Sequence, residues 1–438
     1  MAGDVKVGVA TAQLSSLETG TTDFTITDFG TPKACIVILG FDGTDNASVA
    51  IHSRLSIGFS DFINDYCIAH QDEDASTKVD CDAIKSDTKC YIGLDAAGNV
   101  LHEGTADTIT DGVRLTNTSG AFGPRVTVVM FGGADLTVDV ERTAINSSVD
   151  GEATINASGT DGNDRLIFFI GTDIGAEDSA STGINNSFGV AHITGTVASH
   201  TITQRAIGWS SDHNNINAEI YGIASTDRVL DILTETGGQD WGLEVTALAS
   251  ANTITVTTRD NGAGAGMEVY SLALDLDDRS ASVGTSPGPT TTADWVVTGL
   301  GWKPQYVGLH MHRIAVASLD TIISSAQADQ FGISSNDGTG ETFHGWMANG
   351  NTGTTDTNNI FRSRVADLRS AFDNSVIVDM SHSSFDSGGW TYTVNTENES
   401  TAAGLFHWAI EEAAGAGPPG FPDELLVNSL FDPTQLRM

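Results

Sequence analysis

Apolar and polar residues alternate along much of this chain, in short segments separated by turn-forming residues. The segments RVTVVMFGG, NTITVTTRDN and GWTYTVNTEN are typical examples. An alternation of period two places apolar side chains on one face of a β-strand, whereas a helix needs a period near 3.6 residues. Long segments with helical periodicity are missing from the sequence. The pattern therefore predicts an all-β protein with many turns.

One stretch near the N-terminus recurs far downstream. The segment Thr21–Gly40 reads TTDFTITDFGTPKACIVILG, and a similar segment reads TTADWVVTGLGWKPQYVGLH. Both segments alternate apolar and polar residues, turn at a glycine, and then enter an apolar run. We interpret each copy as a β-hairpin, a strand, a turn and a second strand, that opens a module. The residues aligned by the repeat are Asp23 with Asp294, Phe24 with Trp295, Thr27 with Thr298, and Gly30 with Gly301.

A more degenerate copy, GEATINASGTDGNDRLIFFIG, lies between these two. The three copies predict three tandem β-sandwich modules, of the jelly-roll or immunoglobulin type, with short N- and C-terminal arms. The N-terminal stretch is expected to be an edge strand or an arm on a neighbour. Stretches rich in Gly, Pro, Ser and Thr are expected to be linkers. The predicted boundaries are 1–20 for the N-terminal arm, 21–146, 147–281 and 293–415 for the modules, 282–292 for a linker, and 416–438 for a linker and C-terminal arm.

A Gly-apolar-Ser element lies near the middle of each predicted module. A serine beside an aspartate at a turn suggests a nucleophile or a sugar-binding edge. The structural interpretation is that the glycine permits close packing and the apolar residue fills a core. We favour the structural interpretation, because the element recurs while no histidine recurs with it. The copies are Gly58, Phe59 and Ser60 followed by Asp61; Gly208, Trp209 and Ser210; and Gly332, Ile333 and Ser334.

The charge balance narrows the range of partners. The chain has 438 residues and a formal net charge of −37. The negative charge argues against nucleic acid as a partner, because binding its phosphates requires lysine and arginine. Anionic membrane surfaces are disfavoured for the same reason. We expect no secretory signal and no membrane span, since no basic start precedes an apolar core and no apolar run is long enough.

Several residue types suggest metal or covalent chemistry. All four cysteines, Cys35, Cys67, Cys81 and Cys90, lie in the first third of the chain. Cys81 and Cys90 could close a loop, but free thiols are expected for a protein made in a cytoplasm. His310 and His312 have the spacing of metal ligands on one side of a strand, without a matching third ligand.

Acidic turns and tryptophans suggest further sites. Turn chemistry explains the acids better than calcium binding, because none has EF-hand spacing. The acids are Asp42, Asp45, Asp161, Asp164, Asp337 and Glu341, together with the run Asp72, Glu73 and Asp74. Surface aromatics could stack on sugars, although most are expected in the core. The candidates are Trp241, Trp302, Trp346 and Trp390. We therefore assign no catalytic, cofactor-binding or metal residue.

The C-terminal tail, DELLVNSLFDPTQLRM, predicts a short helical turn capped by Asp423. Such a tail cannot bury its apolar residues alone. We expect it to dock on another subunit, with folding back on the third module as the alternative. The expected subunit-contact residues are Leu425, Leu426, Leu430 and Phe431.

As a whole, the chain resembles virion structural proteins of tailed bacteriophages, such as tail-sheath-like or tail-appendage proteins of the short-tailed Schitoviridae. The resemblance rests on the tandem β modules, the abundance of Gly, Thr, Ser, Asn and Asp, the missing signal segment and the C-terminal arm. It implies a non-enzymatic subunit of a symmetric homo-oligomer in the tail sheath, collar or appendage. The implied partners are other copies of the chain and other tail proteins, and the implied location is the virion tail after assembly in the bacterial cytoplasm.

Other functions fit the same sequence. A receptor-binding fibre or adhesin would recognise host surface glycan with its loops. A polysaccharide depolymerase would need a cleft with two convergent carboxylates. A capsid decoration protein also remains open.

Overall fold

A computed structural model describes residues 4–40, 50–51, 53–72, 80–120, 123–213, 220–261, 267–277, 279–324, 330–349, 356–369, 375–398 and 401–412. These residues form 33 β-strands and one short 3₁₀ turn, Val316–Ser318. The predicted all-β class is confirmed. Among the described residues, no helix is long and apolar enough to cross a lipid bilayer.

The strands fall into three modules of 11 strands each, in the same order. The first module contains β1 (Lys6–Gln13), β2 (Thr21–Thr25), β3 (Pro32–Gly40), β4 (Ala50–Ile51), β5 (Ser53–Ser60), β6 (Asp65–Asp72), β7 (Cys81–Ser86), β8 (Tyr91–Leu94), β9 (Val100–Ile109), β10 (Gly112–Gly120) and β11 (Arg125–Gly132). The second contains β12 (Thr137–Ala144), β13 (Glu152–Asn156), β14 (Arg165–Thr172), β15 (Ser181–Thr182), β16 (Ile184–Thr196), β17 (Ser199–Ser211), β18 (Ile220–Ser225), β19 (Leu230–Leu233), β20 (Gln239–Ser250), β21 (Thr253–Asn261) and β22 (Glu268–Asp275). The third contains β23 (Ala281–Pro287), β24 (Trp295–Thr298), β25 (Pro304–His312), β26 (Ile323–Ser324), β27 (Gln330–Asn336), β28 (Glu341–Asn349), β29 (Asp356–Arg362), β30 (Ala366–Arg369), β31 (Val376–Asp386), β32 (Gly389–Glu397) and β33 (Gly404–Glu411).

Each module is a sandwich of a large and a small antiparallel sheet. In the first module the large sheet has the order β1-β11-β3-β5-β6-β7, and the small sheet has the order β2-β10-β9-β8. The second module repeats this as β12-β22-β14-β16-β17-β18 and β13-β21-β20-β19. The third repeats it as β23-β33-β25-β27-β28-β29 and β24-β32-β31-β30. The three modules therefore have the same topology.

A short strand from a different module extends each large sheet to seven strands. β15 of the second module pairs with β7 of the first, and β26 of the third pairs with β18 of the second. β4 of the first module pairs with β29 of the third, which closes the cycle. Each module thus gives one strand to a neighbour and receives one, so that the chain forms a closed ring of three modules.

One hydrophobic core is shared by all three modules. It contains apolar residues of the large sheets, such as Phe131 of β11, Phe168 of β14 and Trp408 of β33. The ring centroids of Phe168 and Phe131 are 6.2 Å apart, and those of Phe168 and Trp408 are 5.9 Å apart. The ring centroid of Tyr306 on β25 lies 6.4 Å from that of Phe131. Aromatic pairs at these separations add to the stabilisation from burial. The inner faces of the large sheets therefore pack against each other around a common centre, which we call the shared core.

Each sandwich also has a core of its own, between its large and small sheets. In the first module, Val37 of β3 packs in this core with Val113 of β10. The neighbouring Ile36 and Ile38 point to the other face and lie in the shared core. Because both faces are covered, β3 reads as a continuous apolar run with almost every residue buried. The same holds for β14 and β25.

The repeat at the start of the modules has a different pairing from the predicted one. β2 pairs with β10 in the small sheet, whereas β3 pairs with β11 and β5 in the large sheet. The predicted hairpin is therefore wrong: the segment crosses from one sheet to the other. The glycines aligned by the repeat lie at this crossover, Gly30 with φ +85° and Gly301 with φ +80°. Such left-handed backbone favours glycine, which explains why both copies have it.

At three places the observed strands put the boundaries of the modules elsewhere than the sequence predicted. Lys6–Gln13, in the stretch expected to be an edge strand or an arm, is an edge strand of the first module and pairs along its length with β11. Thr137–Ala144, placed at the end of the first module, belongs to the large sheet of the second. Ala281–Pro287 covers much of the predicted linker 282–292 and pairs with β33. Each of these strands is the first of its module and lies at the edge of a large sheet. In this chain, stretches of small and polar residues that suggested an arm or a linker are therefore edge strands.

Candidate functional site

A cleft lies at the seam between the first and third modules. It has a volume of ≈ 580 Å³. The first module contributes the start of β1 and the residues before it. The third contributes the start of β25 and the turns around Asp337 and Phe385. The lining residues are Asp4, Val5, Lys6, Val7, Lys303, Pro304, Gln305, Asp337, Gly338, Thr339, His382, Phe385 and Glu412.

Hydrogen bonds across the seam fix the floor of this cleft. Gln305 Nε2 donates to Val5 O at 3.2 Å and to Glu411 O at 3.0 Å. Asp337 Oδ2 accepts from Val9 N at 2.7 Å. A backbone that is held by both modules is pre-organised for binding.

Charged and aromatic groups line the cleft together. Lys303 Nζ lies 2.7 Å from Glu412 Oε2, and both side chains are partly exposed. Phe385 packs edge-on against His382, with ring centroids 4.7 Å apart. Burial lowers the pKa of His382 below its usual value, so the ring is neutral near pH 7. The cleft thus offers an aromatic edge beside amide and carboxylate groups, which suits a polar, uncharged ligand such as a sugar.

The Gly-apolar-Ser elements are buried within the large sheets. Phe59, Trp209 and Ile333 fill the shared core. The serines Ser60, Ser210 and Ser334 are fully buried beside them. The side chain of Ser60 accepts from Phe62 N at 2.9 Å, and that of Ser210 donates to Thr234 O at 3.0 Å.

The alignment of these three elements is wrong for the second module. Gly58 and Gly332 lie on the equivalent strands β5 and β27, whereas Gly208 lies on β17, which is equivalent to β6. The counterpart of Gly58 is Gly189 on β16. A Cβ atom on Gly58 would overlap the carbonyl oxygen of Cys90, and one on Gly189 would overlap that of Val229, the residue just before β19. A side chain at either position would clash with the backbone that faces it across the sandwich, so both positions require glycine.

The candidate metal and thiol groups are buried in packed surroundings. His310 packs on Phe188 with ring centroids 5.4 Å apart, and His312 packs on Phe406 at 5.3 Å. Burial lowers the pKa of both imidazoles, that of His312 to about 3. The four cysteines are free and buried, as expected, so Cys81 and Cys90 form no disulfide. Burial raises the pKa of each thiol well above its usual value, for Cys35, Cys67, Cys81 and Cys90.

The acidic turns are used for local structure. Asp161 Oδ1 accepts from Val197 N at 2.7 Å, and Asp337 Oδ1 accepts from Gly340 N at 2.6 Å. Asp164 Oδ2 lies 3.0 Å from His192 Nε2, and Glu341 Oε2 accepts from His382 N at 2.6 Å. Asp72 is fully buried. The residues Asp42, Asp45, Glu73 and Asp74 lie outside the described part of the chain.

The candidate tryptophans do not form an exposed platform. Trp346 lies in the shared core, while Trp241 and Trp390 lie in the cores of the second and third sandwiches, all at 1% exposure or less. Trp302 is partly buried against the core of the third module. The predicted subunit contacts Leu425, Leu426, Leu430 and Phe431 lie outside the described residues.

Sequence reasoning missed two groups of titratable residues. Asp240 of β20 lies beside Asp173, and burial and this second carboxyl raise the pKa of Asp240 to about 7. Asp80 and Asp82 meet His213 of the second module. Asp173 is 67 residues from Asp240, and His213 is 131 residues from Asp82, so the only local signal is the spacing of Asp80 and Asp82 around Cys81.

The carboxyl pair predicts a stability change with pH. Because the pKa of Asp240 is higher in the folded state, the unfolded chain ionises first as pH rises. The stability of the fold therefore falls between about pH 4 and pH 7 through this group. We expect Asp240→Asn to raise the melting temperature relative to wild type at pH 8 and to change it little at pH 4, as measured by circular dichroism.

A surface substitution provides the control for this experiment. Asp227 is 74% exposed, so Asp227→Asn removes one negative charge without touching the pair. We expect its effect to be small at both pH values. If Asp240→Asn changes the melting temperature by the same amount at pH 4 and pH 8, the raised pKa of Asp240 is contradicted.

No family model and no curated protein matches this chain. The assignment of a function therefore rests on its own residues and geometry.

Proposed function

We propose that this chain is a non-enzymatic structural subunit of a phage virion, in the sheath, collar or an appendage of the tail, and that it assembles as a symmetric homo-oligomer. The observation that carries the proposal is the cyclic exchange of β4, β15 and β26 around the shared core. It makes one rigid block out of three modules. Rigid blocks with similar faces are suited to packing in symmetric assemblies.

Ionic contacts across the module seams support the same role. Lys85 of β7 is 3% exposed and lies 3.4 Å from Glu177 Oε1 and 3.3 Å from Glu268 Oε2 of the second module. Tyr270 donates to Glu177 Oε2 at 2.6 Å and stacks on Tyr66 of the first module. A buried charge that is held by two carboxylates fixes the relative position of the modules, because separating them would leave it unpaired.

The tail of the sequence supplies the proposed contact between subunits. The tail follows the last described strand, β33, in the sequence, so a chain that ends at Ala414 keeps every described strand. We expect the full-length chain to form an oligomer of defined mass and a chain that ends at Ala414 to be monomeric, measured by light scattering at matched concentration. We expect the two proteins to have the same melting temperature within about 2 °C, because the shared core is intact in both.

A full-length double variant, Leu426→Asp with Leu430→Asp, is the matched control. It keeps the length of the chain and removes only apolar contacts, so we expect it to behave like the truncated protein. If the full-length and truncated chains are both monomers, the assembly role of the tail is wrong.

The cleft between the first and third modules favours a second candidate, a glycan-binding adhesin. Phe385 is partly exposed there, with the carboxylate of Asp337 and the amide of Gln305 among the other lining groups. Sugar rings stack on aromatic faces while their hydroxyls bond to such polar groups. On a panel of bacterial surface glycans, this function predicts binding by wild type and its loss in Phe385→Ala. Equal binding by both proteins would exclude the cleft as the glycan-binding site.

A further inference from the structure

Asp80, Asp82 and His213 lie together where the first and second modules meet. Asp82 is on β7, Asp80 comes just before this strand, and His213 follows β17. One potential ligand atom of each residue lies within 4.8 Å of those of the other two. This is also the place where β15 joins the first module, with Thr182 paired to Asp82. The cluster therefore spans one of the three seams of the ring.

Hydrogen bonds hold the members of the cluster in place. His213 Nδ1 lies 3.3 Å from Asp80 Oδ1 and 3.1 Å from the backbone oxygen of Cys81. Asp82 Oδ2 accepts from Gln71 Nε2 at 2.9 Å. Gln71 Nε2 also lies 3.3 Å from Asp80 O. The Asp82 carboxylate is thus oriented by Gln71 of β6, and the His213 imidazole by the backbone of Cys81 on β7.

The other amide atom of Gln71 has no hydrogen-bond partner. Gln71 is fully buried, and its Oε1 atom is unpaired among the described residues. Oε1 and Nε2 are bonded to the same carbon, so Oε1 lies within about 5 Å of Asp82 Oδ2. Buried polar atoms usually have a protein, water or ion partner. Gln71 Oε1 is thus an unpaired acceptor near the Asp82 carboxylate, and a cation is an occupant that both oxygens could bind.

We propose that Asp80, Asp82 and His213 bind a divalent transition-metal ion, with zinc as the best match, and that this ion links the first and second modules. An imidazole nitrogen with two carboxylate oxygens is a ligand set that suits zinc, with room for a water molecule as a further ligand. Calcium prefers oxygen ligands alone, so the histidine argues against it.

The test uses the untagged full-length protein, freed of metal with a chelator and then dialysed against zinc. We expect about one zinc ion per chain by elemental analysis. With free zinc at about a hundred times its dissociation constant, we expect the melting temperature to rise by about 3 °C. The variants Asp82→Asn and His213→Ala should each lose the bound zinc and the rise in melting temperature.

A second histidine–aspartate pair provides the matched control. His192 Nε2 lies 3.0 Å from Asp164 Oδ2, away from the cluster, so His192→Ala should keep the zinc. A second measurement needs no variant. When cobalt replaces zinc in the wild-type protein, we expect a visible absorption spectrum from the bound ion. Zinc uptake that is absent from the wild type, or equal in all variants, would overturn the proposal.

Discussion

Replacing Phe168 by alanine is expected to lower the free energy of unfolding by about 4 kcal/mol. Its side chain is fully buried in the shared core. It contacts Phe131 of the first module, Phe188 of its own module and Trp408 of the third. Alanine would leave a cavity where all three modules meet, and close packing prevents complete collapse around it. Denaturant unfolding measures the loss.

The adjacent residue is a matched control. Phe169 is equally buried but points to the other face of β14, into the core of the second sandwich. We expect Phe169→Ala to cost a similar free energy. Hydrogen exchange separates the two variants: Phe168→Ala should lower protection in β11 and β33 as well as β14, whereas Phe169→Ala should affect the second module alone. Loss of protection confined to the second module in both variants would show that the shared core does not couple the modules.

Replacing Gly208 by alanine is expected to destabilise the fold by about 3 kcal/mol. A Cβ atom at this position would overlap the backbone oxygen of Asp231 on β19, and it would also lie 3.2 Å from Ile223 Cγ2. A backbone atom cannot move aside as the end of a flexible side chain can. The large and small sheets of the second module would therefore have to separate locally. Denaturant unfolding and near-ultraviolet circular dichroism, which reports on the neighbouring Trp209, measure the effect.

Gly93 is the comparison site for this substitution. It lies on β8 without a positive φ, and the nearest atom to an added Cβ would be His102 Cβ at an ordinary 3.6 Å. We expect Gly93→Ala to change the free energy of unfolding by less than about 1 kcal/mol, because alanine restricts the unfolded chain more than glycine does. Equal losses at both positions would mean that the sheet contact at Gly208 is not what excludes a side chain.

The fold class was predictable because its signal is local. Alternation of period two and turn residues define a strand within a few residues, and they predicted the strands around Phe24 and Trp295. Pairing is not local. Nothing near Thr21–Gly40 indicates that its two strands enter different sheets, since the partners on β10 and β11 lie about 90 residues away along the chain. The strand exchange was hidden for a further reason: β4, β15 and β26 have two residues each.

The candidate sites were harder to predict than the strands. His310 and His312 have the spacing of ligands, yet each packs on an aromatic ring in the interior. Spacing alone does not separate a ligand from a core residue, because both follow from strand geometry. His213 joins Asp80 and Asp82 only because the second module packs against the first. A site at a seam between modules is therefore visible only once the relative position of the modules is known.

The pairing of β4 with β29, which closes the ring of modules, has a consequence for synthesis on the ribosome. Ala50 and Ile51 emerge early, but their partners Asn358 and Asn359 follow about 300 residues later. At about 5–20 residues per second, this delay is about 15–60 s. Until then the nascent first and second modules expose the apolar faces that later meet the third. The last step of folding is a long-range closure, so we expect a chaperone to protect these faces while translation continues.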